Sequence, residues 1–211
     1  MTSRGKFISL EGGEGVGKST QVKALAAALR SRGLDVIETR EPGGSEGAEK
    51  IRELLLDPNE DWSTSTEALL FAAARAEHVE KTIKPALEAG QWVLSDRFLD
   101  SSLAYQGGAG HLGIERVREL NLFGVGDCLP DRTFVLLFGQ GSKDALERAR
   151  TRDKGNDDRI GGRSMDFHYQ VHIAFQLIAA EEPDRVKLVD ASGTEEQVTN
   201  ILLRSLGDLL P

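Results

Sequence analysis

At 211 residues the chain has room for one domain with a substantial core and is short for two. Its net charge of −8 speaks against a binder of polymeric nucleic acid, which needs a broad basic surface, but a local cluster of cations would still suit a small anionic ligand. Cys128 is the lone cysteine, no apolar run is long enough to span a bilayer and no signal-peptide pattern precedes the first apolar stretch, so the expectation is a cytoplasmic protein without disulfides, cysteine-held metal or membrane contact.

Lys6 to Leu10 reads as a buried strand, and GGEGVGKST follows it directly: Gly12, Gly13, Glu14, Gly15, Val16, Gly17, Lys18, Ser19 and Thr20. This spacing is the phosphate-binding P-loop pattern, in the strand-to-helix setting that supports it. Glycines let the loop turn its backbone N–H groups inward around phosphate oxygens, Lys18 supplies a point charge to the outer phosphates, and Ser19 supplies a hydroxyl for Mg²⁺. A merely structural glycine turn would leave Lys-Ser at that offset unexplained.

Val22, Leu25, Ala26 and Leu29 then recur at helical spacing and Gly33 gives a stop, so Ser19 to Arg32 is expected to be a helix with its N-terminus at the phosphates. Leu34 to Thr39 reads as a second strand. Glu67 to Ala89 is a long helical region in which Pro85 should bend the chain or divide two helices. Trp92 to Ser95 is a third strand ending at Asp96-Arg97. Thr133 to Phe138 and Val186 to Val189 are two more strands, followed by helical patterns over Lys143 to Arg152 and Thr194 to Leu209.

Strands alternating with helices predict an α/β P-loop fold, a mostly parallel sheet with helices on both faces, in one domain over residues 1–211. Ligands in such folds sit beyond the carboxyl ends of the strands, where the P-loop, Arg40-Glu41 and Asp96-Arg97 all fall. The stretch from about 148 to 164 carries Arg148, Arg150, Arg152, Arg159 and Arg163 among glycines and acids. Composition alone makes it a solvated loop. Its guanidiniums also suit a flexible lid for phosphoryl transfer, where charge spreads over phosphate oxygens during reaction.

A P-loop alone does not select a reaction. No N-K-x-D segment for reading guanine occurs, and Asp96 is followed by an arginine where a water-activating carboxylate would serve a hydrolase. An arginine there suits an acceptor that is itself a phosphate, such as a nucleoside monophosphate. That acceptor loses its second proton near pH ~6, so it needs positioning more than a general base.

TREPGG at Thr39 to Gly44, LLFAAARAEHVE at Leu69 to Glu80, DRFLDSSLAYQGG at Asp96 to Gly108 and VDASGTEEQV at Val189 to Val198 resemble the thymidylate kinase family, in order and over nearly the whole chain. The resemblance implies transfer of the ATP γ-phosphoryl group to dTMP with Mg²⁺, by a homodimer. It gives Lys18 to the donor phosphates, Ser19 and Asp96 to Mg²⁺, Glu14 to the acceptor's sugar 3′-hydroxyl and Arg97 to its phosphate. It also implies that Phe71 stacks on the pyrimidine, that Arg75 donates to the base O4, and that Arg40, Ser102, Tyr105 and Gln106 line the acceptor's pocket. A phenylalanine such as Phe71 in an apolar helix is otherwise a core residue. An arginine on the same stripe needs a polar partner if buried.

Gly15 stands where one subgroup carries a catalytic arginine, so the chain resembles the bacterial type whose lid supplies that charge, with Arg152 and Arg159 the candidates. Phe98, Phe138, His172 and Phe175 depart from the family's pattern and touch none of the donor-phosphate residues. The rival readings are a kinase of another monophosphate (dUMP, CMP or UMP) and a regulatory P-loop ATPase with no acceptor.

Overall fold

The computed structural model describes residues 4–138 and 159–211. Five strands, β1 (Phe7–Glu11), β2 (Val36–Arg40), β3 (Trp92–Asp96), β4 (Arg132–Leu137) and β5 (Val186–Asp190), form one sheet in the order β2-β3-β1-β4-β5. Every neighbouring pair is parallel, so all five carboxyl ends meet at one edge. Side chains of successive strand residues point to opposite faces. Phe7, Val93 and Val135 accordingly enter one core, against Val79, Ile83, Leu103, Val171 and Phe175, while Ile8, Leu94 and Phe134 enter the other, against Leu25, Leu29, Val198 and Leu202. Both faces are covered, which is why these strands read as continuous apolar runs.

Helix α1 (Lys18–Arg30) follows the P-loop, and α2 (Glu46–Leu56) and α3 (Thr64–His78) follow β2. Ser45 and Ser63 cap α2 and α3 by accepting from Ala48 N and Thr66 N. The expected break at Pro85 takes another form: a π-helical turn over Val79–Ile83 leads into α4 (Lys84–Glu88), and Pro85 sits in the first turn of α4, where a missing N–H is tolerated. After β3 come α5 (Leu99–Ser102), a π-helical stretch over Leu103–Ala109, and α6 (Ile114–Val125). The helix expected over Lys143 to Arg152 lies outside the described residues. Beyond it, α7 (Met165–Glu181) is capped by Ser164, and α8 (Glu195–Ser205) opens with a reciprocal capping box between Thr194 and Gln197. No described helix is long and apolar enough to cross a membrane.

Candidate active site

The loop after β1 and the turn after β3 meet because β1 and β3 are adjacent, with Leu10 paired to Asp96. Gly12 adopts φ 131, and a Cβ there would stand 2.5 Å from Leu136 O, so the loop passes too close to β4 for any side chain. Gly17, at φ 96, caps α1 in the left-handed conformation. Lys18 folds back over this loop, its Nζ donating to Gly12 O at 3.2 Å and Gly13 O at 2.6 Å. Burial, with Arg97 adding to it, pulls its ammonium down to about 8 against the opposing pull of Glu14 and Asp96. Ser19 Oγ donates to Asp96 Oδ2 at 2.5 Å. A hydroxyl and a carboxylate side by side are hard oxygen donors, a set that fits Mg²⁺ when phosphates complete the shell.

Arg97 has φ 72, a conformation that non-glycine residues rarely hold. Its guanidinium donates to Gly12 O, to Ser101 Oγ at 3.0 Å, to Glu14 Oε1 at 2.5 Å and to Tyr105 Oη at 3.2 Å. Burial would raise the Glu14 carboxyl, but Arg97 and then Lys18 outweigh it and hold Glu14 down at about 2. Beneath this pair, Glu11 at the end of β1 accepts from Phe98 N at 2.7 Å and Ser101 Oγ at 2.5 Å, which braces the turn carrying Arg97. Burial, and then the charge of Asp100, push the Glu11 carboxyl well above the usual range. Sequence reasoning missed Glu11, although one acid ending an apolar strand was the available signal.

The other half of the site is built on α3. Arg75 is buried, and its Nε donates to Glu41 Oε2 at 2.7 Å. Its Nη1 donates to Ser102 Oγ at 2.9 Å and to Asn121 Oδ1, and its Nη2 to Phe98 O at 3.0 Å. Among the described residues these bonds take four of the five N–H groups of the guanidinium and leave one on Nη2. Glu41 also takes His78 Nδ1 at 3.0 Å, and His78 Nε2 meets Thr39 Oγ1 at 2.7 Å, so the histidine and the arginine share one buried carboxylate. Neither Glu41 nor Asn121 stood out in the sequence as a support for Arg75.

A cavity of about 270 Å³ joins the two halves. Its wall includes Glu14, Gly15, Gly17, Lys18, Ser19, Thr20, Asp96 and Arg97 from the phosphate side and Arg40, Phe71, Arg75, Ser102, Tyr105 and Gln106 from the other. Gly12, Gly13 and Val16 are not among the lining residues: the carbonyls of Gly12 and Gly13 accept from Lys18, and Val16 is a buried core residue. Phe71 packs partly against the core and also lines the cavity. Arg40 is exposed and held by both oxygens of Glu49. Arg159 is not on the wall: its Nε donates to Leu55 O at 3.0 Å and its Nη2 lies 2.6 Å from Glu67 Oε2, while the next residue, Ile160, does line the cavity. Arg148, Arg150 and Arg152 lie outside the described residues.

A cavity with a phosphate loop at one end and Phe71 with polar side chains at the other can take phosphate oxygens at the loop and a flat ring against the aromatic side chain. The family model described as thymidylate kinase matches residues 10–201. A thymidylate kinase of Rhizorhabdus wittichii is 58% identical over 208 residues, covering 98% of this chain and 99% of its own. One of Symbiobacterium thermophilum is 47% identical, covering 97% and 94%. The crystal structure of thymidylate kinase from Ehrlichia chaffeensis superimposes with a TM-score of 0.77 at 30% identity, covering 96% of this chain and 98% of that one.

Proposed function

The chain belongs to the thymidylate kinase family and is an ATP-dependent kinase of dTMP; from that premise we propose how its residues share the transfer of the γ-phosphoryl group, with dTDP and ADP as products. The observation that carries the assignment is the single cavity in which the Lys18 loop and the Phe71–Arg75 face of α3 meet across Arg97. ATP presents its phosphates to the N–H groups of Gly12 to Thr20 and to Lys18, which releases the carbonyls of Gly12 and Gly13 to reach them. Ser19 and Asp96 are the residues that hold Mg²⁺, which when bound neutralises phosphate charge.

The acceptor enters with its pyrimidine on Phe71, its O4 towards the spare N–H of Arg75, and Arg40, Ser102, Tyr105 and Gln106 around it. Glu14 takes the sugar 3′-hydroxyl. Arg97 turns part of its fork from Glu14 and Gly12 O to the acceptor phosphate, a bidentate match. A phosphate dianion needs no base to act as nucleophile, so rate comes from alignment and from cations set where charge develops. Arg152 and Arg159, from the lid at about 148–164, complete that charge. For Arg159 this means leaving Glu67, whose second ion pair, with Arg163 at 2.5 Å, keeps the buried carboxylate partnered.

The working form is a homodimer in the cytoplasm. Phe123 on α6 is 97% exposed, with Leu122 beside it and Leu69 exposed on α3, and α6 approaches α3 closely at Gly124 and Ala76. Such large apolar side chains in water favour a partner surface. The test of function is ADP release coupled to NADH oxidation across dTMP, dUMP, dCMP, CMP and UMP. Fastest turnover is expected with dTMP; a faster ribonucleotide would overturn the substrate, and full ATP turnover without acceptor would make the chain an ATPase.

A further inference from the structure

Glu67 has no exposed surface and stands one turn into α3, behind the cavity wall. A carboxylate in such a place costs folding energy unless it is paired, and this one has three partners. Its Oε2 meets Arg163 Nη2 at 2.5 Å and Arg159 Nη2 at 2.6 Å, and its Oε1 accepts from Gln106 Nε2 at 2.8 Å. A carboxylate shared by two guanidiniums offers acceptors only. The end of the Gln106 amide that faces it must therefore be the NH₂ end.

The other end of that amide is then fixed as well. Gln106 Oε1 takes no hydrogen bond from a described residue, and Gln106 lines the same cavity as Arg75, whose guanidinium keeps one N–H unspent among the described residues. The geometry points to Glu67 as a positioning residue that locks the Gln106 amide with its carbonyl towards the acceptor's base, so that Gln106 and Arg75 together offer one acceptor and one donor. The inference rests on the reading of this cavity as the pyrimidine monophosphate site. Thymine and uracil carry a carbonyl next to a ring N–H and complement that pair. Cytosine carries an amino group next to a bare ring nitrogen, which sets donor against donor and acceptor against acceptor. With the amide reversed, the bare ring nitrogen would find a donor, and Glu67 is what prevents the reversal.

The test is the ratio of dissociation constants for dCMP and dUMP, which both lack the 5-methyl group, measured by titration calorimetry on the full chain. Glu67→Gln keeps the shape of the side chain but lets either end of the Gln106 amide face it, and should lower the ratio by about tenfold or more. Gln106→Met leaves Glu67 and its ion pairs in place and should lower the ratio alike, with Glu67→Gln adding nothing further in the double variant. A ratio within about twofold of the parent in Glu67→Gln, or in Gln106→Met should the first variant not fold, overturns the inference, as does an undiminished Glu67→Gln effect in the Gln106→Met background. Conversion of dTMP to dTDP by the parent chain tests the functional reading separately. An unchanged ratio with that conversion intact removes the role of Glu67 alone.

Discussion

Replacing Arg75 with methionine separates two jobs that the side chain combines. Four acceptors lose their donor: Glu41 Oε2, Ser102 Oγ, Asn121 Oδ1 and Phe98 O. The hydroxyl of Ser102 can reorient and water can reach the cavity side, so the main cost falls on Glu41, a buried carboxylate left, among the described residues, with His78 as its remaining side-chain partner. Breaking a buried ion pair by removing one member costs about 3–5 kcal/mol. For a chain of this size each kcal/mol shifts the melting midpoint by about 2–4 °C, so Arg75→Met should melt roughly 6–20 °C lower. Calorimetric melts at fixed protein concentration, without nucleotide, read this directly. Adding Glu41→Gln removes the stranded charge and should recover a large part of the loss while dTMP affinity stays poor. A drop of less than about 1 kcal/mol in Arg75→Met would refute the structural half of the argument and leave Arg75 as a recognition residue only.

Lys18 should give ATP binding a pH dependence. Its ammonium, lowered to about 8 chiefly by burial, is charged below that pH and neutral above it, so affinity for an unreactive ATP analogue is retained below and falls as pH rises through about 8, at most about tenfold per unit. Titration calorimetry between about pH 7 and 9 should show this fall, with a flatter profile in Lys18→Arg; a flat profile in the parent chain would contradict it. Arg159→Ala should cut kcat by about 10²–10³ with the KM for dTMP moved only a few-fold, and steady-state kinetics with unchanged turnover would remove Arg159 from the reaction. Phe123→Asp should convert the proposed dimer to monomer in sedimentation velocity, and a persisting dimer would place the interface elsewhere.

Features carried by short stretches of chain were legible without a fold. The P-loop spacing, the alternation of apolar runs with helical patterns, and the Asp96-Arg97 position all depend on neighbours within a few residues, and they led to the parallel sheet and to the phosphate side of the cavity wall, whereas Phe71, Arg75, Ser102, Tyr105 and Gln106 came from the family resemblance. The helix boundaries were less sharp: α1 begins at Lys18, and the Pro85 region passes through a π turn, because packing against the sheet rather than local propensity sets those ends. Partnerships of charge were hidden. Arg75 finds Glu41 34 positions away, Glu11 reaches Ser101 across 90, and Glu67 gathers Gln106 and Arg163 across 39 and 96.

The amino-acid order by itself determined which backbone could wrap a phosphate and which residue types would stand at the strand ends, since glycine conformations and side-chain periodicity are properties of the local chain. The tertiary structure alone decided which carboxylate each buried guanidinium meets and, through that, which way the Gln106 amide faces. A charge removed from water takes the nearest compensating group that the strand order β2-β3-β1-β4-β5 brings to it, and no spacing along the chain encodes that distance.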